Sequence, residues 1–452
     1  MPQKPHTAIH ENVILEVRRK TEGRYATFEC VNEHGLAAFE HTVLHFKCVD
    51  KTSFFSGSCS AILKTEVYLM EALLYCCCGL DVHRDVIEAC ILRGLEQTPK
   101  IIRRSFSTVP QGLSELVEWT EENGCYSIAM ESTGVYWIPV FEAFERNSEY
   151  NEKLWVVNAR HMRNLPGRKS DIKDAEWIAT LLRHGLLEKS FVPSEYIRTL
   201  REFTRLRRSC IQERARYLNR LEKFLQDHGF KFSSVMSDIY CRAGQELLLL
   251  LRDNGQITEK DVQEKCRKLR HTGEEIHNAV CGILKPEEQC LLKHLLNKID
   301  GSQNDIDSID NDLRLLTAQI EDQITILSSI PGISTDSAVE IIAEISAAPQ
   351  EYFESSEKLC SWAGLSPRND ESAGTIKSRK ILHGNPHIKA IMCQVAWVSA
   401  YARNSSFHDW FWAHQGKLGR KKAIIAVSRK MLSLCYHLLK TQQLYSYPVT
   451  QN

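Results

Sequence analysis

Between Tyr75 and about Leu187 the chain strings together short apolar runs and amphipathic stretches in an order that few folds accept. Tyr75–Asp81, Val86–Arg93 and Ile101–Ser107 read as three successive strands, consistent with a meander. Gln111–Asn123 then reads as a helix, Tyr126–Glu131 as a short buried strand, Trp137–Arg146 as a helix and Leu154–Val157 as a strand. Ala175–His184 continues a helix that starts near Asp171. This order defines an α/β domain.

Carboxylates sit at critical points of that pattern. Asp81 closes the run Cys78-Gly79-Leu80-Asp81-Val82, and Glu131 closes Ala129-Met130-Glu131. Asp171 and Asp174, in Ser170-Asp171-Ile172-Lys173-Asp174-Ala175, are three apart at the start of a helical pattern and so share a face. A carboxylate at the end of a buried strand needs a partner or a metal. Such a set can hold two hard divalent cations for in-line attack at a phosphodiester; surface and N-cap acids are the plainer alternative. The order of elements is that of the ribonuclease H-like fold, which gathers carboxylates from its first strand, its fourth strand and a late helix. That assignment is by analogy. Asp85 is expected to be solvated and His83 a polar turn residue, with assistance in proton transfer as the alternative.

A length of 452 residues suggests two to four domains. No apolar run approaches a membrane span, and the N-terminus lacks a charged-then-apolar signal pattern, so a cytoplasmic protein is expected. Lys and Arg total 57, balanced by 57 Asp and Glu, but the charge is segregated. Twelve bases face three acids from Gly364 to Lys430, whereas seven acids face one base from Asp300 to Asp322. A local basic surface can therefore exist on a neutral chain. The sixteen cysteines are scattered, without a Cys-x-x-Cys pair, and read as reduced thiols. Consecutive Cys76, Cys77 and Cys78 point to alternate sides of a strand and form no simple chelate.

Residues 1–69 show no sustained period and are expected to be an atypical leader, with Met70 as the natural start; a small extra domain is the alternative. After the break at Pro193-Ser194, Glu195 to about His228 reads as a long helix with nine bases and five acids. A second helical block runs from about Pro286 to Leu327, and the two could pair as a coiled-coil arm or dimerise. The stretch from about 230 to 285 is helical in parts. Ser329-Ile330-Pro331-Gly332-Ile333 opens another unit and resembles a helix-hairpin-helix turn that offers amides to phosphate. The tail after about Gln442 is expected to be flexible.

A second polar constellation follows. Gly364-Leu365-Ser366-Pro367-Arg368-Asn369-Asp370-Glu371-Ser372-Ala373-Gly374 is turn-rich and leads to Lys377, Arg379 and Lys380, then to His383-Gly384-Asn385-Pro386-His387. Ser372, beside a small residue and near several cations, could attack a phosphate whose charge those cations stabilise. Most loop serines only cap or solvate. His383 and His387 read as polar turn residues rather than proton carriers.

Taken in order and spacing, Gly-Leu-Asp-Val, Met-Glu-Ser-Thr-Gly, Ser-Asp-Ile-Lys-Asp-Ala, Ile-Pro-Gly-Ile and Gly-Leu-Ser-Pro…Glu-Ser-Ala-Gly…His-Gly-Asn resemble the DEDD transposases of bacterial insertion sequences, family 110. The resemblance runs from Tyr75 to about Lys440. It implies a RuvC-like ribonuclease H domain (70–190), a helical or coiled-coil region (191–328) and a mainly helical transposase domain with a catalytic serine (329–442), followed by a tail (443–452). It also implies Asp81, Glu131, Asp171 and Asp174 as a Mg²⁺-binding DEDD set and Ser372 as the nucleophile. The implied partners are double-stranded DNA, a structured bridge RNA as guide and further copies of the chain, with no membrane. Two features depart from the family: the leader, and Glu371-Ser372-Ala373-Gly374 where Gln-Ser-Gly is the commoner form, with Ala373 in place of its glycine. The alternatives are a Holliday-junction-type nuclease in which water attacks, and an inactive nucleic-acid-binding element protein.

Overall fold

The computed structural model describes residues 16–22, 25–31 and 72–446, apart from 97, 133, 159–173, 267–269, 368–369, 373–374, 379–380, 382 and 404; for 16–31 and 370–380 it describes backbone alone. The chain divides into two compact units, Met1–Val192 and Pro193–Asn452. Among the described residues no helix is long and apolar enough to cross a membrane.

In the first unit, β1 (Glu16–Glu22) and β2 (Tyr25–Val31) pair antiparallel, with Glu22 opposite Tyr25. Sequence period did not reveal this hairpin, because β1 is almost wholly polar and presents no alternation to read. The main sheet has five strands: β3 (Cys76–Val82), β4 (Val86–Arg93), β5 (Lys100–Ser107), β6 (Ile128–Glu131) and β7 (Leu154–Val157), in the order β5-β4-β3-β6-β7. β3, β4 and β5 are an antiparallel meander, while β6 and β7 run parallel to β3. The elements follow one another along the chain as anticipated from sequence, and the mixed sheet is consistent with a ribonuclease H-like domain.

Helices cover both faces of the sheet, so β3 is almost continuously buried and its apolar run is unbroken rather than alternating. One face carries Cys78, Leu80, Ile87, Ile91, Ile128 and Met130 against α1 (Pro110–Glu122) and α2 (Trp137–Glu145). The opposite face carries Cys77, Cys90, Leu92 and Ala129 against α3 (Asp174–Arg183). Cys77 and Cys78 thus point to opposite faces as expected, and the described cysteines are all free thiols.

The second unit is mostly helical. Its frame is α4 (Glu195–Asp227) and α9 (Pro286–Thr317), which run antiparallel along one another. Tyr196 Oη donates to Leu316 O at 2.7 Å near one end, Arg207 pairs with Asp310 further along, and His228 Nε2 lies 3.6 Å from Glu288 Oε1 at the other. They form an intrachain pair rather than a demonstrated coiled-coil arm.

Between them, α5 (Phe232–Val235), α6 (Arg242–Asn254), α7 (Glu259–Lys265) and α8 (Gly273–Val280) build their own core with the ends of α4 and α9, around Leu221, Phe224, Phe232, Leu248, Ile276 and Leu292. Two of these helices begin with capping boxes, Thr258 with Asp261 and Thr272 with Glu275. Those were local signals that could have placed them.

Beyond α9 come α10 (Glu321–Ser328), α11 (Thr335–Ile345) and α12 (Ser356–Trp362), then a hairpin of β8 (Asp370–Ser372) and β9 (Thr375–Ser378). Next are α13 (Pro386–Tyr401), α14 (Ser406–Leu418) and α15 (Arg420–Thr441). Residues Ile341, Ile342, Met392, Val395, Met431 and Leu432 of α11, α13 and α15 are all buried. Past α15, Tyr445 N–H donates to Ser329 Oγ at 2.8 Å.

Candidate carboxylate site and serine ribbon

The first unit places two of the four expected carboxylates at the ends of neighbouring strands and a third at the start of the helix that packs on them. Along β3, Cys77 and Asp81 share the face that α3 covers, and Ala129 and Glu131 of β6 do the same. β3 and β6 pair in register through Leu80 and Met130, so Asp81 and Glu131 are the next neighbours outward. Asp174 is the first residue of α3, where a carboxylate favours the positive end of the helix dipole.

Gly79 makes this meeting possible. A Cβ added there would lie 2.1 Å from Ala175 O and 2.4 Å from Ala179 N, so α3 rests directly on β3 because that side chain is absent. Arg103 of β5 braces the same helix by pairing with Glu176.

The electrostatics register the convergence. Burial pushes the Asp81 carboxyl above its ordinary pKa; the charges of Asp174 and Glu131 push the same way, while His83 opposes them. His83 Nε2 stands 3.2 Å from Asp81 Oδ2, so the histidine read first as a turn residue, with proton transfer as the alternative, contacts a candidate ligand. Asp85 is exposed and paired with Arg84, as its solvated reading anticipated. Asp171 lies outside the described residues, and among the described residues no three His, Cys, Asp or Glu side chains stand close enough to hold a metal ion in common.

The donors nevertheless suit a hard divalent cation in kind. All are carboxylate oxygens, and their mutual repulsion is what such a cation relieves. Sequence reading missed Glu88, which stands directly across from Asp81 on β4 and accepts a 2.8 Å hydrogen bond from Ser105 Oγ. Once the meander is recognised, the pairing register is the signal that finds it.

In the second unit Ser372 is not in an open loop. It ends β8 and pairs with Thr375 of β9, at the tip of a ribbon. Below the tip, Asp370 pairs with Ser378 across a register shift, and Pro367 bridges Ile381. At the neck, a Cβ added to Gly384 would fall 2.1 Å from Gly364 N, so the two ends of the segment touch backbone to backbone. The ribbon therefore rises from a closed neck set between α12 and α13. Lys377 is on β9, and Arg379 and Lys380 lie outside the described residues. His383 is exposed, whereas His387 is half-buried in the first turn of α13. A described cavity of about 550 Å³, lined by Phe407, Trp410, Leu434 and Tyr445 among others, contains none of these candidates.

Two family models match the chain, one over each region just described. A transposase model of the IS110 DEDD type covers residues 78–230, and one described as transposase of the IS116/IS110/IS902 family covers residues 324–411. The chain belongs to this family of insertion-sequence transposases. Its relatives include an insertion element IS116 uncharacterized 44.8 kDa protein of Streptomyces clavuligerus, 24% identical over 336 residues, which are 66% of this chain and 82% of that protein. The pilin gene-inverting protein of Moraxella bovis is 25% identical over 128 residues, 27% of this chain and 39% of the relative, and that of Moraxella lacunata matches to the same extent. The chain thus spans about two fifths of the length of those gene-inverting proteins.

Proposed function

We propose that the protein is a DNA recombinase that excises and inserts its own insertion sequence, guided by a structured RNA, with its first unit a RuvC-like domain. The observation that carries this reading is the placing of Asp81 and Glu131 at neighbouring strand ends, with Asp174 at the start of α3 near enough for its charge to act on Asp81, in a chain matched by two transposase models. Asp81, Glu131 and Asp174, with Asp171, would hold Mg²⁺, and the bound cation would supply polarisation of a phosphodiester.

Ser372 supplies the nucleophile. Its Oγ forms a bond to phosphorus as the bond to one deoxyribose oxygen breaks, and that oxygen takes up a proton while the serine hydroxyl gives one up. The phosphodiester is conserved as a serine ester, so a second deoxyribose hydroxyl can attack it, rejoin the strand and release the serine. No external energy source is needed.

DNA contact is supported by the basic segment, where Arg420, Lys421 and Lys422 are exposed at the start of α15. Strand exchange has to hold two duplexes, which implies more than one copy of the chain. The pilin gene-inverting relatives bear a name for DNA rearrangement.

The test is cleavage of DNA carrying the element ends, with the RNA encoded beside the reading frame and Mg²⁺. Asp81→Asn removes one anionic oxygen and is expected to lose about 10²-fold or more of the cleavage rate while remaining folded. A variant that cuts like wild type removes Asp81 from the chemistry.

A further inference from the structure

Within the second unit one acid is buried almost completely away from any site assigned above. Glu344, on α11, is 1% exposed. A carboxylate so placed requires compensation. Arg205 of α4 provides a two-pronged contact, Nε to Oε1 at 2.8 Å and Nη2 to Oε2 at 3.0 Å. Arg201, one turn earlier, donates to the backbone oxygens of Ala343 and Glu344 at 3.0 and 2.9 Å. The remaining capacity of Oε2 is taken by Asn385 Nδ2 at 2.8 Å.

Asn385 belongs to the neck of the ribbon. It follows Gly384, which is pressed against Gly364, and its own N–H donates to Trp362 O at 3.2 Å. Its Oδ1 caps α13 by accepting from His387 N–H at 2.9 Å and Ile388 N–H at 3.3 Å. One side chain therefore faces two ways, its oxygen fixing the helix start and its nitrogen fixing the neck to Glu344. A cap alone needs only the oxygen; serine supplies one too.

We propose that Glu344 and Asn385 are positioning residues for the ribbon that carries Ser372, coupling the long helix α4 through Arg205 to the neck from which the ribbon rises. The ribbon is two strands wide, and a tilt at its neck is magnified at its tip. The consequence for catalysis rests on Ser372 being the nucleophile; the anchoring of the ribbon does not.

The test uses the full chain and two kinds of change. Asn385→Ser keeps a capping hydroxyl but cannot reach Glu344. Glu344→Gln with Asn385→Asp reverses the hydrogen bond, the glutamine amide donating to the aspartate, and preserves net charge and the cap, but the amide nitrogen replaces Oε2 and so gives up the contact from Arg205 Nη2. Hydrogen–deuterium exchange over residues 365–383 reads the anchoring, equilibrium DNA binding reads the contact surface, and the rate of protein–DNA adduct formation reads the chemistry.

For Asn385→Ser we expect faster exchange in the ribbon segment with α13 still protected. We also expect DNA affinity within about threefold of wild type and an adduct rate about 10–100-fold lower, because a displacement near 1 Å can cost that much. The reciprocal double variant should recover part of both the protection and the rate. Unchanged exchange in Asn385→Ser would overturn the anchoring, and faster exchange with an unchanged adduct rate would overturn the positioning role. If Ser372→Ala forms adduct as well as wild type, the nucleophile assignment fails on its own, and exchange alone then decides whether Glu344 holds the ribbon.

Discussion

The carboxylate face of the first unit and the serine ribbon of the second are built on opposite principles. Asp81, Glu131 and Asp174 stand at the ends of elements that are largely core, so the packing of α3 on β3 also brings these candidate residues near one another. Ser372 stands at the tip of two short strands, and its place depends on a neck held from outside by Arg205 and Glu344. A site made from a core is as rigid as that core. A site on a ribbon is as rigid as its anchor.

The sharpest way to strain that contrast is at Gly79. Its Cβ in Gly79→Ala has nowhere to go, because the obstructing atoms are the backbone of α3. The expected result is loss of about 3 kcal/mol or more from the first unit, seen as a lower denaturant midpoint, together with loss of DNA cleavage. Gly301→Ala in α9 is the control: nothing lies within 4 Å of the added carbon, so the helix should gain about 0.5–1 kcal/mol. A Gly79→Ala protein of normal stability would mean that close packing of α3 does not assemble the site.

A smaller effect, confined to the second unit, follows from His387. Burial holds its pKa below the ordinary 6.5, and the charges of Arg205, Arg208 and Arg201 add to that, opposed by Glu344. The unfolded chain therefore binds a proton at higher pH than the fold does. The stability tied to the neutral ring is complete above about pH 6.5 and declines as the pH falls through the depressed folded value. Glu344 behaves in the same sense lower down. Burial alone would raise its pKa, but the hydrogen bond from Arg205, the charges of Arg201 and Arg205 and the bond from Asn385 outweigh it, so its contribution is lost only below the ordinary 4.5. Melting temperatures followed from pH 7 to pH 5 should fall for wild type and fall less for His387→Asn. Parallel curves would show that His387 does not carry the dependence.

Legibility differed between the regions for physical reasons. Strands buried on both faces announce themselves as apolar runs, and an acid closing such a run is conspicuous, so β3, β6, Asp81 and Glu131 could be read directly. Glu88 and His83 could not, because only strand register and turn geometry bring them to Asp81. In the second unit the long helices were plain from their length and period. The Arg205–Glu344–Asn385 link joins residues 139 and 41 positions apart, and no local pattern encodes such a contact. The ribbon was taken for a loop because strands of three and four residues are too short to show a period.

The central claim is that Ser372 joins covalently to DNA. Labelled element-end DNA, the guide RNA and Mg²⁺ would be incubated with wild type, Ser372→Ala and Ser366→Ala, and the products resolved under denaturing conditions. Ser366 Oγ has no hydrogen-bond partner among the described residues, so its loss should be nearly silent. The account predicts a protein-linked band for wild type and Ser366→Ala, and none for Ser372→Ala although that variant still binds DNA. An adduct that persists without the Ser372 hydroxyl, or cleavage by wild type with no adduct at all, would contradict it and favour attack by water.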